Sequence, residues 1–136
     1  MIFDTNVISE VWRAAPDPRV AGRVAAAGPQ ARLSVVVLGE LRHGIDRRPP
    51  DRRRDALAAA YRSLVDAKRE AVLPISLEVA EAWGALSARL AAGGRAIAAA
   101  DGLIAATALV HDLELWTRNT RDFAGTGVRL FDPWEG

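Results

Sequence analysis

The chain contains no cysteine. That excludes disulfides, thiolate nucleophiles and cysteine-based zinc sites, and it fits a reducing cytoplasm. Lys68 is the only lysine; every other side-chain cation of the Lys/Arg class is an arginine. The two histidines, His43 and His111, are not spaced as a metal pair and read as surface groups. No apolar run reaches membrane-spanning length without a charge. Ala96 to Val110 comes nearest, and Asp101 interrupts it. The N-terminus lacks a basic segment followed by a long apolar stretch, so no secretory signal is expected. The net charge of +1 gives no gross electrostatic pull toward nucleic acid. Internal repeats, low-complexity tracts and linkers are also missing.

What is present is one domain's worth of ordinary globular sequence: 136 residues, 50% hydrophobic and 26% charged, enough to bury a core. Short apolar runs alternate with helical patterns. Met1 to Asp4 reads as a buried strand and Thr5 to Arg13 as a helix. Asp17 can cap a second helix with Pro18 in its first turn, running to about Ala27 before Gly28-Pro29. Arg32 to Ser34 is a strand that leads into a helix with Val37, Leu38, Leu41 and Ile45 on one face. Asp51 to about Glu70 is a long helix. Val72 to Ile75 is a strand at a sheet edge, because Pro74 cannot donate to a ladder. Ser76 caps a helix striped by Val79, Trp83, Leu86 and Leu90, which Gly93-Gly94 ends. Ala98 to His111 is the most apolar helix; Leu115 to Thr117 and Val128 to Phe131 are two more strands. This alternation predicts an α/β fold, a short parallel sheet between layers of helices.

Four carboxylates stand out against that background. Asp4 closes the first strand, where open α/β sheets bind ligands; on its own it reads first as a helix cap. Glu40 lies at the margin of an apolar helix stripe, preceded by an uncharged run from Ser34 to Gly39, and a surface glutamate is the plain alternative. Asp101 is the only charge between Ala96 and Val110. An ionised carboxylate in an apolar helix needs partners, or it neutralises. The competing reading makes Asp101 a helix cap, with Ala98 to Ala100 still loop. Gly102 beside it leaves space for something to approach closely. After the Leu115–Thr117 strand, Asn119 and Asp122 can each reach the same cleft or serve an Asx turn. Hard oxygen ligands without cysteine or a histidine pair suit Mg²⁺ or Mn²⁺ rather than zinc. Separately, Arg42, Arg47, Arg48, Arg52, Arg53 and Arg54 crowd one stretch; this is either a phosphate-binding patch or a solvated face.

The pattern resembles the PIN-domain ribonucleases, above all the VapC toxins of type II toxin–antitoxin systems and the similar FitB proteins. It rests on Phe3-Asp4-Thr5-Asn6-Val7-Ile8-Ser9-Glu10, on Leu33-Ser34 with Gly39-Glu40-Leu41 and Gly44-Ile45, on Ala99 to Ala108 around Asp101, and on Thr117-Arg118-Asn119. The ending Phe131-Asp132-Pro133-Trp134 looks FitB-like. The resemblance covers nearly the whole chain. It implies a three-layer α/β/α sandwich and Mg²⁺-dependent cleavage of RNA, with Asp4, Glu40 and Asp101 as metal ligands. At the fourth acidic position this sequence carries Asn119, with Asp122 three residues on, so either one completes the site. Thr5, Asn6, Ser34 and Thr117 are candidates to orient carboxylates. The resemblance further implies a VapB-like antitoxin, a homodimer, and DNA binding only through the antitoxin complex.

Two rival readings stand beside it. A haloacid-dehalogenase-like phosphatase also uses an aspartate after the first strand, but it needs a second one two residues on, where this chain has Asn6, and a late lysine that is missing. A non-catalytic module would use the acidic cleft to hold a basic peptide. Of the tryptophans Trp12, Trp83, Trp116 and Trp134, most are expected in the core.

Overall fold

A computed structural model describes all 136 residues. The elements run β1 (Ile2–Phe3), α1 (Thr5–Val11), α2 (Pro18–Ala27), β2 (Leu33–Ser34), α3 (Val35–Asp46), α4 (Arg52–Lys68), β3 (Val72–Leu73), α5 (Leu77–Ala92), α6 (Ala99–Val110), β4 (Leu115–Trp116) and β5 (Leu130–Phe131). All strand pairings are parallel: β2 with β3, β1 with β4, and β4 with β5. A parallel bridge between Ile2 and Arg32, with the Arg32 N–H donating to the Met1 carbonyl at 2.9 Å, joins the two halves. The sheet order is therefore β3-β2-β1-β4-β5, with helices forming the outer layers of an α/β/α sandwich. The edge position expected for the strand beside Pro74 is the one β3 occupies.

The strands are shorter than the apolar runs suggest. At the ends of β1 and β2 the chain turns straight into helices capped by Asp4 and Ser34. The backbone N–H groups of Asp4 and Thr117 still bond across the sheet, to Trp116 at 2.9 Å and Phe131 at 3.0 Å, so both residues are held at its carboxyl end. Helix ends follow local chemistry. The Asp17 carboxylate accepts from the Arg19 and Val20 N–H groups, with Pro18 at the first helical position. Asp51 and Ser76 cap α4 and α5 through the Arg54 and Val79 N–H groups. The α4 helix stops at Lys68, and a single tight turn, Arg69–Ala71, leads into β3. Likewise α1 ends at Val11 rather than Arg13. After α5, Gly94 adopts φ 79°, a conformation that costs glycine nothing and a β-carbon residue about 1–2 kcal/mol.

The core is built on the sheet. Ile2, Leu33, Leu115, Ile104 and Phe123 are fully or almost fully buried. Phe3, Trp116 and Phe131 form a run of tilted aromatic contacts, 5.3 and 4.8 Å between ring centroids. Trp116 is buried; Trp12 and Trp134 pack partly against the same core. The lone lysine ties α4 to the entry of β2, its ammonium donating to the Gly28 and Ala31 carbonyls. No helix is long and apolar enough to cross a membrane.

Candidate functional site

From β1 the chain steps outward to β2 and β3, then returns to β4 on the other side of β1. The reversal of strand order across the sheet falls between β1 and β4, the position where open α/β sheets bind ligands beyond the strand ends. Asp4 follows one of these strands and Thr117 the other.

Asp4 is only 5% exposed, and its position is fixed from three sides. Its carboxylate accepts from the Thr117 hydroxyl at 2.8 Å, the Thr5 N–H at 2.8 Å and the Asn6 amide at 3.3 Å. Asn6 itself is held by the Arg118 N–H, which donates to its carbonyl oxygen at 3.2 Å, and its amide also reaches the Thr117 hydroxyl at 3.3 Å. Burial pushes the Asp4 carboxyl above the usual aspartate range. The Thr117 and Thr5 hydrogen bonds oppose that shift, and the charges of Glu40 and Asp122 add to it. Capping of α1 is thus one of this carboxylate's roles, and it leaves the group facing other acids.

Glu40 projects from α3 and accepts from the Thr5 hydroxyl at 2.6 Å. Thr5 therefore links the first carboxylate to the second: its N–H serves Asp4 and its hydroxyl serves Glu40. Asp101 is the third residue of α6, whose N-cap is Ala98, so the alternative in which Asp101 caps that helix does not hold. Its carboxylate has no hydrogen-bond or ion-pair partner. Desolvation first, then the charges of Asp4, Asp122 and Glu40, raise its pKa to about 6. Asp122 lies in the turn Thr120–Phe123 after β4, where its charge acts on both Asp4 and Asp101. Asn119, at the start of that turn, is exposed and makes no side-chain hydrogen bond; its N–H donates to the Thr117 hydroxyl at 3.0 Å and its carbonyl accepts from the Asp122 N–H at 3.0 Å.

Asp4, Glu40, Asp101 and Asp122 are therefore within electrostatic reach of one another, and none of the molecule's ion pairs involves any of them. Acidic groups gathered without a protein cation suit a hard divalent ion with oxygen ligands. No three acidic or histidine side chains are drawn into a common coordination sphere; unneutralised carboxylates repel, and a bound cation reverses that force.

Other expected contributors behave differently. Ser34 is buried and caps α3, accepting from the Val36 N–H at 3.0 Å, and it touches none of the carboxylates. His43 and His111 are exposed. The close approach anticipated at Gly102 is made by Trp83: a β-carbon there would stand 2.9 Å from the indole Cδ1 and Nε1. Glu10 gave no separate signal in the sequence. It is 5% exposed and braces the α1–α2 corner by accepting from the Asp17 N–H at 2.9 Å; that bond, with Arg13 assisting, holds its carboxyl below the usual range.

These features define a parallel α/β/α domain with an acidic cleft at its switch point. The chain belongs to the PIN-domain family, whose model matches residues 1–128. It is 35% identical to the VapC ribonuclease Y4jK of Sinorhizobium fredii, an alignment covering 99% of this chain and 98% of that protein. It is 33% identical to Toxin FitB of Neisseria gonorrhoeae, covering 98% of each. Among solved structures, the FitAcB crystal structure from Neisseria gonorrhoeae superposes with a TM-score of 0.92 at 33% identity, covering 99% of each chain. VapBC-1 from nontypeable Haemophilus influenzae gives 0.80 at 26% identity, covering 99% of this chain and 100% of that one.

Proposed function

We propose that this chain is a Mg²⁺-dependent ribonuclease and the toxin of a type II toxin–antitoxin pair, acting in the cytoplasm. The observation that carries the reading is the set of unpaired carboxylates at the switch point: buried Asp4, Asp101 with its pKa raised to about 6, Glu40 and Asp122. Asp4, Asp101 and Glu40 would hold the ion, which Mn²⁺ could replace, with Asp122 in preference to Asn119 completing the set. When bound, the ion supplies positive charge to the phosphodiester and an acidified water at neutral pH. The chain's own part is to hold the ligands in place. Thr117 and Asn6 fix the Asp4 carboxylate, and Thr5 orients Glu40. Such bracing of ligands governs both metal affinity and positioning.

A haloacid-dehalogenase-like phosphatase finds no support. Asn6, where its general acid would stand, is tied up in the bracket around Asp4. The acidic cleft also suits an arginine from a partner, so a VapB-like antitoxin could hold the enzyme inactive by filling it. This is the form the non-catalytic reading takes here. The similar proteins solved as FitAB bound to a DNA fragment and as VapBC-1 support an antitoxin partner, with DNA bound through the complex; a homodimer is part of the same proposal.

The test is cleavage of a labelled RNA by purified protein across Mg²⁺ concentrations, with EDTA as the control. Cleavage should need the metal, and Asp4→Asn should abolish it while leaving the circular dichroism spectrum intact. Cleavage that persists in EDTA would overturn the reading.

A further inference from the structure

A groove of about 320 Å³ opens beside the carboxylates, lined by α1, α3 and α4. That is at the small end of the range for ligand clefts, about 300–1,000 Å³. Its inner end is the hydrogen-bonded Thr5–Glu40 pair, so it continues directly from the acidic site. Its outer part is cationic, lined by Arg13, Arg48 and Arg53 with Trp12 among them.

These cations are not equivalent. Arg13 is paired with Glu10 at 3.3 Å. Arg53 donates to the Trp12 carbonyl and has no carboxylate partner. Arg48 lies just beyond α3, is exposed, and has no hydrogen bond or ion pair through its side chain. The remaining arginines of the crowded stretch lie outside this groove; Arg42, for instance, is paired with Asp46 at 2.7 Å. An arginine fork matches a phosphate, and an aromatic ring beside it offers a surface on which a base can stack. A groove that is acidic at one end and cationic a few side chains away is complementary to a polyanion with one phosphate neutralised by a metal ion at the carboxylates and the next by arginine.

We propose that this groove seats the nucleotide adjoining the scissile phosphodiester, with Arg48 and Arg53 taking its phosphate and Trp12 lining the space for its base. The proposal rests on the nuclease reading above. It makes Arg48 a substrate-binding residue that sets affinity for RNA longer than the bond being cut.

Arg48→Ala tests it, since the side chain supports nothing in the fold, alongside Arg48→Lys. Steady-state cleavage of a single-site ribooligonucleotide should show KM raised about tenfold and kcat changed by no more than about twofold, the signature of lost substrate binding. Binding of the same RNA, followed by fluorescence anisotropy in EDTA across a KCl series, should show the slope of log affinity against log salt reduced by about 0.7, the value for one phosphate contact on a single strand. Arg48→Lys should restore the slope, because the charge returns, and only part of the KM, because the fork does not. An Arg48→Ala protein with wild-type KM and salt slope would overturn the proposal. So would one that keeps its RNA constants but loses affinity for an antitoxin peptide, which would make the groove a protein-binding surface. If the wild-type protein cleaves no RNA, the nuclease reading fails; the anisotropy series still decides whether Arg48 holds a phosphate.

Discussion

Replacing Asp101 by asparagine should stabilise the metal-free protein at neutral pH, even as it removes activity. In the fold the carboxyl titrates at about 6, against 3.8 for the free side chain. A group whose folded pKa is raised binds more protons folded than unfolded in that interval, so stability falls as pH rises from about 4 through about 6. Two pKa units correspond to about 3 kcal/mol. Asp101 is partly exposed, and solvent screening reduces this to about 1 kcal/mol. For a chain of 136 residues the entropy of unfolding is about 0.3 kcal/mol/K, which makes the effect about 3–4 °C in Tm. The assay is thermal melting followed by circular dichroism, from pH 4 to pH 8 in EDTA. Asp101→Asn should melt above wild type by that margin from pH 7 upward, and the two curves should converge near pH 4. Millimolar Mg²⁺ should then reverse the order, because a cation that binds only the folded state raises Tm, and the variant has lost a ligand. Equal melting temperatures at pH 8 in EDTA, or an equal gain from Mg²⁺, would refute the electrostatic account of the site.

Thr117→Val should cost about 1–3 kcal/mol in chemical denaturation, because it removes the 2.8 Å donor to buried Asp4 and the acceptor for the Asn119 N–H; Thr117→Ser should recover most of it along with RNA cleavage. Gly102→Ala should cost about 1–3 kcal/mol by driving a β-carbon into the Trp83 ring, read as a lower Tm with altered tryptophan emission. Glu10, whose carboxyl is held below its usual range by the Asp17 N–H, contributes stability that is present above that range and lost as pH falls through its folded pKa. Glu10→Gln should therefore flatten the acid limb of the Tm–pH profile, and an unchanged acid limb would count against that brace.

Local features carried most of the element assignment. Asp17 with Pro18, Asp51, Ser76 and Gly93 each act within a few residues of where they stand, so the helix boundaries they set were legible in the chain. A solitary carboxylate such as Asp101 in an apolar block was legible for the same reason, since burying an unpartnered charge is costly wherever the helix lies. The sequence alone thus determined the alternation of strands and helices, their approximate ends, and which acids had no local partner. Only the tertiary structure decided which of them meet. Asp4 and Thr117 are separated by most of the chain and touch because β4 returns to pair with β1. The short turn after β4 brings the Asp122 charge to bear on Asp4 and Asp101. Ser34 was lost to helix capping, Trp83 filled the space left by Gly102, and Arg48 came to line a groove that ends at Glu40. Parallel pairing across a switch point leaves no local trace in sequence, because its hydrogen bonds join backbone groups common to every residue, and only the packed sheet selects which side chains they bring together.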